Sequence, residues 1–153
     1  MNKKIEDFWL EFIDKNNLEK IIKYSEYFYF GHTEELANNL LELVLSGKKK
    51  ATSSVLKQFE IEKESLPEIG EYSIVTDYYN NPRCVIRTTN VRLIKYKNMT
   101  FEICKLEGED KNLESWNYNH ELFLKRIAKE NNFEFNDELI IVFEEFELVY
   151  KKS

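Results

Sequence analysis

"LANNLLELVLSGKKKATSSVL", residues 36–56, reads as a helix that stops and a strand that starts, with three lysines at the junction. Leu36, Leu40, Leu43 and Val44 recur at helical steps and form one apolar stripe. Thr33 stands where an N-cap hydroxyl would take an orphan amide, and Glu34 and Glu35 suit the positive end of the helix. Gly47 sits at the position of a left-handed C′ residue, so Lys48, Lys49 and Lys50 meet the carbonyl-rich negative pole. Two readings of "GKKKATSS" follow. In one, favourable lysines end a helix and lead into a short polar strand. In the other, one lysine points inward, is desolvated, and takes the hydroxyl proton of Thr52, making the threonine a nucleophile. Residues three apart in a strand face opposite ways, so Lys49 reaches Thr52 only from the turn that precedes the strand.

N-terminal to this stretch the pattern is helical. Ile5, Phe8, Trp9, Phe12 and Ile13 share one face, and Leu18, Ile21 and Ile22 predict a second helical piece over 17–25, ended by "YFYFGHT" at 27–33. After Leu56 the pattern becomes mainly strand. Residues 72–76 follow the turn "PEIG", and "YYNNPR" (78–83) punctuates a hairpin. The run 84–94 has Val85, Val91 and Leu93 on one side and Cys84, Ile86 and Ile94 on the other, which suits a barrel wall or a helix-covered sheet. Residues 112–129 return to helix, with Leu113, Trp116, Phe123 and Ile127 as the stripe, and 139–150 close the chain as a strand. The fold class predicted is α+β: helices first, then a mostly antiparallel sheet interrupted by one helix, in a single domain over 1–153 with 1–26 as a helical extension.

The composition narrows the function. With 153 residues, 42% hydrophobic and 33% charged, and only 4 Gly and 2 Pro, the chain is globular, without linkers or repeats. Residues 1–10 lack the apolar core of a signal peptide, and no apolar run is long enough to span a bilayer, so a cytoplasmic location and no membrane partner are expected. Cys84 and Cys104 show no CxxC spacing and are expected to be reduced thiols. A net charge of −6 argues against non-specific nucleic-acid binding through many phosphates. The charge is segregated, however: Lys48, Lys49, Lys50 and Lys57 lie in an acid-free segment, whereas 134–147 holds six acids. Zinc spacing, a GxSxG elbow, a phosphate loop and a dinucleotide glycine fingerprint are all absent, so no metal and no cofactor are expected.

A second unusual stretch is "KLEGEDKNLESW", residues 105–116. Glu107, Glu109 and Asp110 surround Gly108 just before a helix that Asn112 would cap. They serve either as capping charge or as loop carboxylates free to act as acid, base or metal ligand. His120 falls on the apolar stripe and reads first as a hydrogen-bonded core residue. Arg83, Arg87 and Arg92 are candidates for an anion clamp or are exposed strand arginines. The aromatic set 24–30 offers base stacking or ordinary packing.

Taken together, 36–56, "LPEIGEYSIVTDYYNNPRCVIRTTNVRLIKY", "FEICKLEGEDKNLESWNYNHELF" and "LIIVFEEFELVY" resemble the ASCH domain superfamily, in its branch of small stand-alone bacterial proteins with a helical N-terminal extension. The resemblance covers about 27–150 and rests on the G-K-K-x-A-T core together with the E-G-E…L-x-x-W-x-x-x-H block. It implies a PUA-like, partly open, mostly antiparallel β-barrel flanked by helices, with a cleft where the lysine segment meets the acidic loop. It also implies binding of RNA, a nucleotide or a modified nucleoside. One small relative removes the acyl group from N4-acetylated cytidine with a lysine, a threonine and a glutamate, which fall here on Lys49, Thr52 and Glu109. On that likeness Thr52 attacks, Lys49 is its base and Glu109 carries the proton to the leaving amine. Lys48, Lys50, Ser53, Arg87 and Glu107 are the expected ligand-binding residues. A non-catalytic RNA-binding module is the alternative. Another relative, reported as a metal-dependent ribonuclease, gives a third reading through Glu107, Glu109 and Asp110. Asp110 itself departs from that branch, in which a second glycine is usual after the glutamate.

Overall fold

A computed structural model describes residues 2–152. Helix α1 (Lys3–Lys15) begins at Asn2, whose side chain accepts from the Lys4 and Ile5 amides, and it buries Ile5, Phe8, Trp9, Phe12 and Ile13. Helix α2 (Glu34–Leu45) is capped by the Thr33 hydroxyl at 3.2 Å from the Leu36 nitrogen. It stops at Gly47, whose φ of +81° lets the Lys48 and Lys49 amides turn back to the Leu43 carbonyl at 2.9 and 3.0 Å. Strand β2 (Ala51–Val55) follows at once, then α3 (Leu56–Glu62), β3 (Tyr72–Thr76), β4 (Pro82–Lys95), α4 (Phe101–Cys104), α5 (Leu113–Glu130) and β5 (Ile140–Lys151). With β1 (Glu26–Phe28) the strands form one sheet in the order β1-β3-β4-β5-β2. β1 runs parallel to β3, and the other pairings are antiparallel. Both edges stay unjoined, so the barrel is partly open, as the resemblance implies, and the class is α+β as expected.

The sheet is covered by three helices over three apolar clusters. α1 packs on Ile74 and Val85, α2 on Val75, Cys84, Ile86 and Phe146, and α5 on Ala51, Val55, Ile141 and Phe143. Strand β4 can serve all three because register shifts at Val85/Ile86 and Thr88/Asn90 bend it and change which side chains face which cover. The expected two-sided pattern is therefore only partly kept. Cys84 and Ile86 face α2, Ile94 packs in the α5 cluster, and Leu93 is exposed.

Three expectations are corrected. Residues 17–25 are not a helix: α1 ends at Lys15 with Asn16 as its C-cap, Asn17 takes a left-handed φ of 53°, and the Leu18 amide turns back to the Ile13 carbonyl at 3.0 Å. Leu18, Ile22 and Tyr24 still pack on α1, so their apolar spacing reflects burial and not a helical period. Part of the aromatic run is β1, a short parallel edge strand. Finally, Leu56–Glu62 is helical, and the left-handed Lys63 ends it. No described helix is long and apolar enough to cross a membrane.

Because α1 supplies one of the three covers, replacing Phe12, buried against Tyr72 and Tyr150 at ring separations of 5.5 Å, with alanine should cost about 3–5 kcal/mol of unfolding free energy. Urea unfolding checks this. A cost below about 1 kcal/mol would mean that the helix is not part of the cooperative core.

Candidate functional site

The site is made by two chain segments that meet at a backbone contact. Residues 48–50 leave α2 in an extended conformation. The Lys50 amide donates to the Leu106 carbonyl at 2.7 Å, and the Lys50 carbonyl accepts from the Phe146 amide at 2.9 Å. Against them lies the turn at Gly108, with φ of +73°. A Cβ there would stand 2.4 Å from the Lys48 carbonyl oxygen and 2.7 Å from its carbon, so only glycine allows the approach. This contact brings positions sixty apart side by side.

Alternation in the extended segment turns Lys48 and Lys50 to solvent and Lys49 inward, where it is 2% exposed. Its ammonium donates to the Ala51 carbonyl at 2.8 Å and to Glu109 Oε2 at 2.5 Å, and lies 5.2 Å from the Phe30 ring centre. Lys49 lies before the first strand residue, Ala51, in the stretch between α2 and β2. Lys49, Thr52, Ser53, Glu107 and Glu109 all line one cleft of about 740 Å³ between α2 and α5, walled by Phe30 and Phe123 and edged by Arg126.

Glu107 is the second centre of the site and is also 2% exposed. Its Oε2 accepts from the Trp116 indole N–H at 2.5 Å and from the Ser53 hydroxyl at 3.2 Å, and its Oε1 lies 3.4 Å from His120 Nε2. Nδ1 of His120 donates to the Trp116 carbonyl at 3.0 Å, and its ring stacks on the indole at 4.2 Å. Burial pushes the Glu107 carboxyl up, but the hydrogen bond and charge of His120, then Lys49 and the indole, outweigh it and hold it below its ordinary value. Burial favours the neutral ring of His120, yet Glu107, then Glu109 and the Trp116 carbonyl, raise it above its ordinary value. With Nδ1–H on the Trp116 carbonyl, one further proton lies between Nε2 and Glu107 Oε1, and the lowered carboxyl and raised imidazole favour its place on the ring. The two groups are therefore a buried ion pair.

Some expectations change. Arg87 does not line the cleft: it faces the α1 side of the sheet, over the Tyr72 ring at 5.1 Å, with Nε 3.4 Å from the Gly70 carbonyl. Lys48 and Lys50 are also outside the lining, because the alternation that buries Lys49 expels them. Glu107, Glu109 and Asp110 do not converge on one point. Glu107 faces Trp116, His120 and Ser53, Glu109 faces Lys49, and Asp110 accepts from Ser115 at 2.7 Å and Asn119 at 2.8 Å. Among the described residues no group of three or more His, Cys, Asp or Glu side chains could hold a metal ion. His120 is hydrogen-bonded as expected of a core residue, but it also lines the cleft. The Trp116–His120 spacing of four, just after the acidic turn, was the available signal for its pairing with Glu107. Phe30 belongs to the aromatic set 24–30 read as base stacking or packing, whereas Arg126 carried no signal.

The chain matches the ASCH domain family over residues 26–150. Its structure is similar to that of a protein from Enterococcus faecalis V583, with a TM-score of 0.91 and 32% identity over 99% of this chain and 91% of that one. It is also similar to an ASCH domain from Lactobacillus crispatus JV V101, with a TM-score of 0.87 and 27% identity over 98% of this chain and 96% of that one. No curated protein matches the chain.

Two outcomes test this geometry. Gly108→Ala should destabilise the fold by about 2 kcal/mol or more, since strain and a backbone clash add; a melting temperature unchanged from wild type would contradict the contact. The buried pair also sets a pH window. Glu107 has a lowered pKa, so its contribution is complete above its ordinary 4.5 and fades as pH falls through the depressed value. His120 has a raised pKa, so its contribution is complete below 6.5 and fades as pH rises through the elevated value. Denaturant unfolding between pH 6.5 and 9 should show a loss of stability in the wild type that shrinks in the Glu107→Gln, His120→Gln double variant. Equal losses in both would exclude the pair as the source.

Proposed function

Because the chain belongs to the ASCH domain family, we propose that the cleft of its PUA-like half-barrel binds a modified nucleoside, free or within RNA, and hydrolyses an acyl amide on it. ASCH domains are generally thought to bind RNA, which is the coarser form of the same reading. The observation that carries the finer form is the Lys49–Glu109 pair on the cleft floor, with Thr52 lining the same space. The pair joins a buried lysine to an exposed carboxylate, so the desolvation of Lys49 offsets much of its Coulomb energy, and its place in an open cleft favours a chemical role. The cleft has the volume of a small-molecule site, and Phe30 and Phe123 offer flat apolar walls to a base. Lys49, Thr52 and Glu109 are the catalytic residues of this reading, and Ser53 and Glu107 contact or support the ligand.

The proton inventory closes. Lys49 passes one proton to Glu109 across their contact, leaving an amine and a carboxylic acid. The amine takes the Thr52 hydroxyl proton as Oγ bonds to the acyl carbon. The carbon–nitrogen bond then breaks while Glu109 protonates the departing nitrogen, leaving an ester on Thr52 with the ammonium and carboxylate restored. Water adds to that ester and its hydroxyl leaves in the carboxylic acid, while its other proton returns through Lys49 to Thr52.

A second reading, in which RNA binds without chemistry, draws on the exposed Lys48 and Lys50 beside the cleft. It requires RNA affinity that weakens steeply with salt and with loss of those lysines, and is indifferent to Glu109→Gln.

Incubation with N4-acetylcytidine, followed by ultraviolet absorbance, separates the readings. Turnover should fall by about a thousandfold or more in Thr52→Val and Lys49→Ala, and by about a hundredfold in Glu109→Gln. Arg87→Ala, outside the cleft, should match wild type. Absence of turnover by wild type at high enzyme concentration would remove the hydrolytic reading.

A further inference from the structure

We infer that Ser53 is a specificity-determining residue of the cleft, accepting a hydrogen bond from an N–H of the bound ligand. The inference builds on the proposed nucleoside site but concerns recognition and not hydrolysis. It follows from a donor inventory. A serine hydroxyl has one hydrogen and two lone pairs. Ser53 spends that hydrogen on Glu107 Oε2 at 3.2 Å. Glu107 cannot return one, because it is held as a carboxylate by the Trp116 indole at 2.5 Å and by His120 at 3.4 Å. The hydroxyl is thus locked in one sense, and what it presents to the cleft is acceptor only.

Lys49 is the complement. Two of its three N–H bonds go to the Ala51 carbonyl and Glu109, which leaves one for a ligand acceptor. The floor therefore offers a donor at Lys49 and an acceptor at Ser53, between the aromatic walls of Phe30 and Phe123. The ligand class that answers this pattern is a planar amide or heterocycle bearing an N–H next to an acceptor. An N-acylated aminopyrimidine has that arrangement; its N-methylated analogue does not. Glu107 is a positioning residue here, acting through Ser53.

The test compares N4-acetylcytidine with N4-acetyl-N4-methylcytidine, by turnover and by calorimetric binding, on wild type, Ser53→Ala and Glu107→Gln. Wild type should prefer the N–H probe by at least about tenfold, because a desolvated acceptor left without its donor rejects the analogue. Ser53→Ala should keep its melting temperature, bind the N–H probe about tenfold more weakly, and lose the preference. Glu107→Gln should narrow the preference without abolishing folding, because a carboxamide can donate to Ser53 and release its hydrogen towards the ligand. Wild type that treats the two probes alike within twofold, or Ser53→Ala that keeps the preference, overturns the inference. Selective binding without turnover would sink the hydrolytic reading and leave this one standing. If neither probe binds, both fall.

Discussion

The backbone contact between the Gly108 turn and the Lys48–Lys49 peptide is the constraint on which the cleft depends. A methyl group at position 108 would overlap the Lys48 carbonyl, and without the close approach Lys49 and Glu109 could not share a hydrogen bond. The contact is held from both sides. The Leu106 carbonyl takes the Lys50 amide, and the Phe146 amide of β5 takes the Lys50 carbonyl, so the extended segment is fixed to the sheet on one flank and to the acidic turn on the other.

Around that contact four charged groups sit at or near the low-dielectric interior: Lys49 with Glu109, and His120 with Glu107. Each pair is electrically balanced, and the three buried members, Lys49, Glu107 and His120, have further hydrogen bonds that satisfy them, which is the condition under which burying ions is tolerable, while Glu109 stays exposed. No described buried side-chain nitrogen or oxygen lacks a partner. The two pairs differ in what they leave over. Glu107 and His120 use up their hydrogen-bonding capacity on one another and on Trp116 and Ser53, and so brace the turn. Lys49 keeps one N–H and Glu109 keeps an oxygen, and both residues line the cleft that Thr52 also lines.

Much of this was legible in the chain because the signals were local. Thr33 and Gly47 bounded α2, Asn112 started α5, and the Tyr72–Thr76 and Pro82–Lys95 strands followed their turn residues closely. The misreadings have a common cause. Residues 17–25 and β1 owe their shape to what they pack on, α1 and β3, and Leu56–Glu62 coils after a strand without a capping side chain to announce it. Local spacing said only that one of three lysines points inward; the family resemblance singled out Lys49, which is the buried one. Arg87 shares the face of Val85 by plain alternation, and no local signal showed that this face belongs to α1 and not to the cleft.

By itself, then, the sequence determined the α+β succession, the helix ends and the residue types of the site, since caps, turns and periodicity act within a few positions. The tertiary structure alone decided that Gly108 lies on Lys48, that Glu107 meets His120 under Ser53, and that Arg87 stands away from the cleft. Those relations join positions thirteen to sixty apart or turn on strand register. Their energy comes from excluding water around paired charges, a property of the assembled interior that no local pattern encodes.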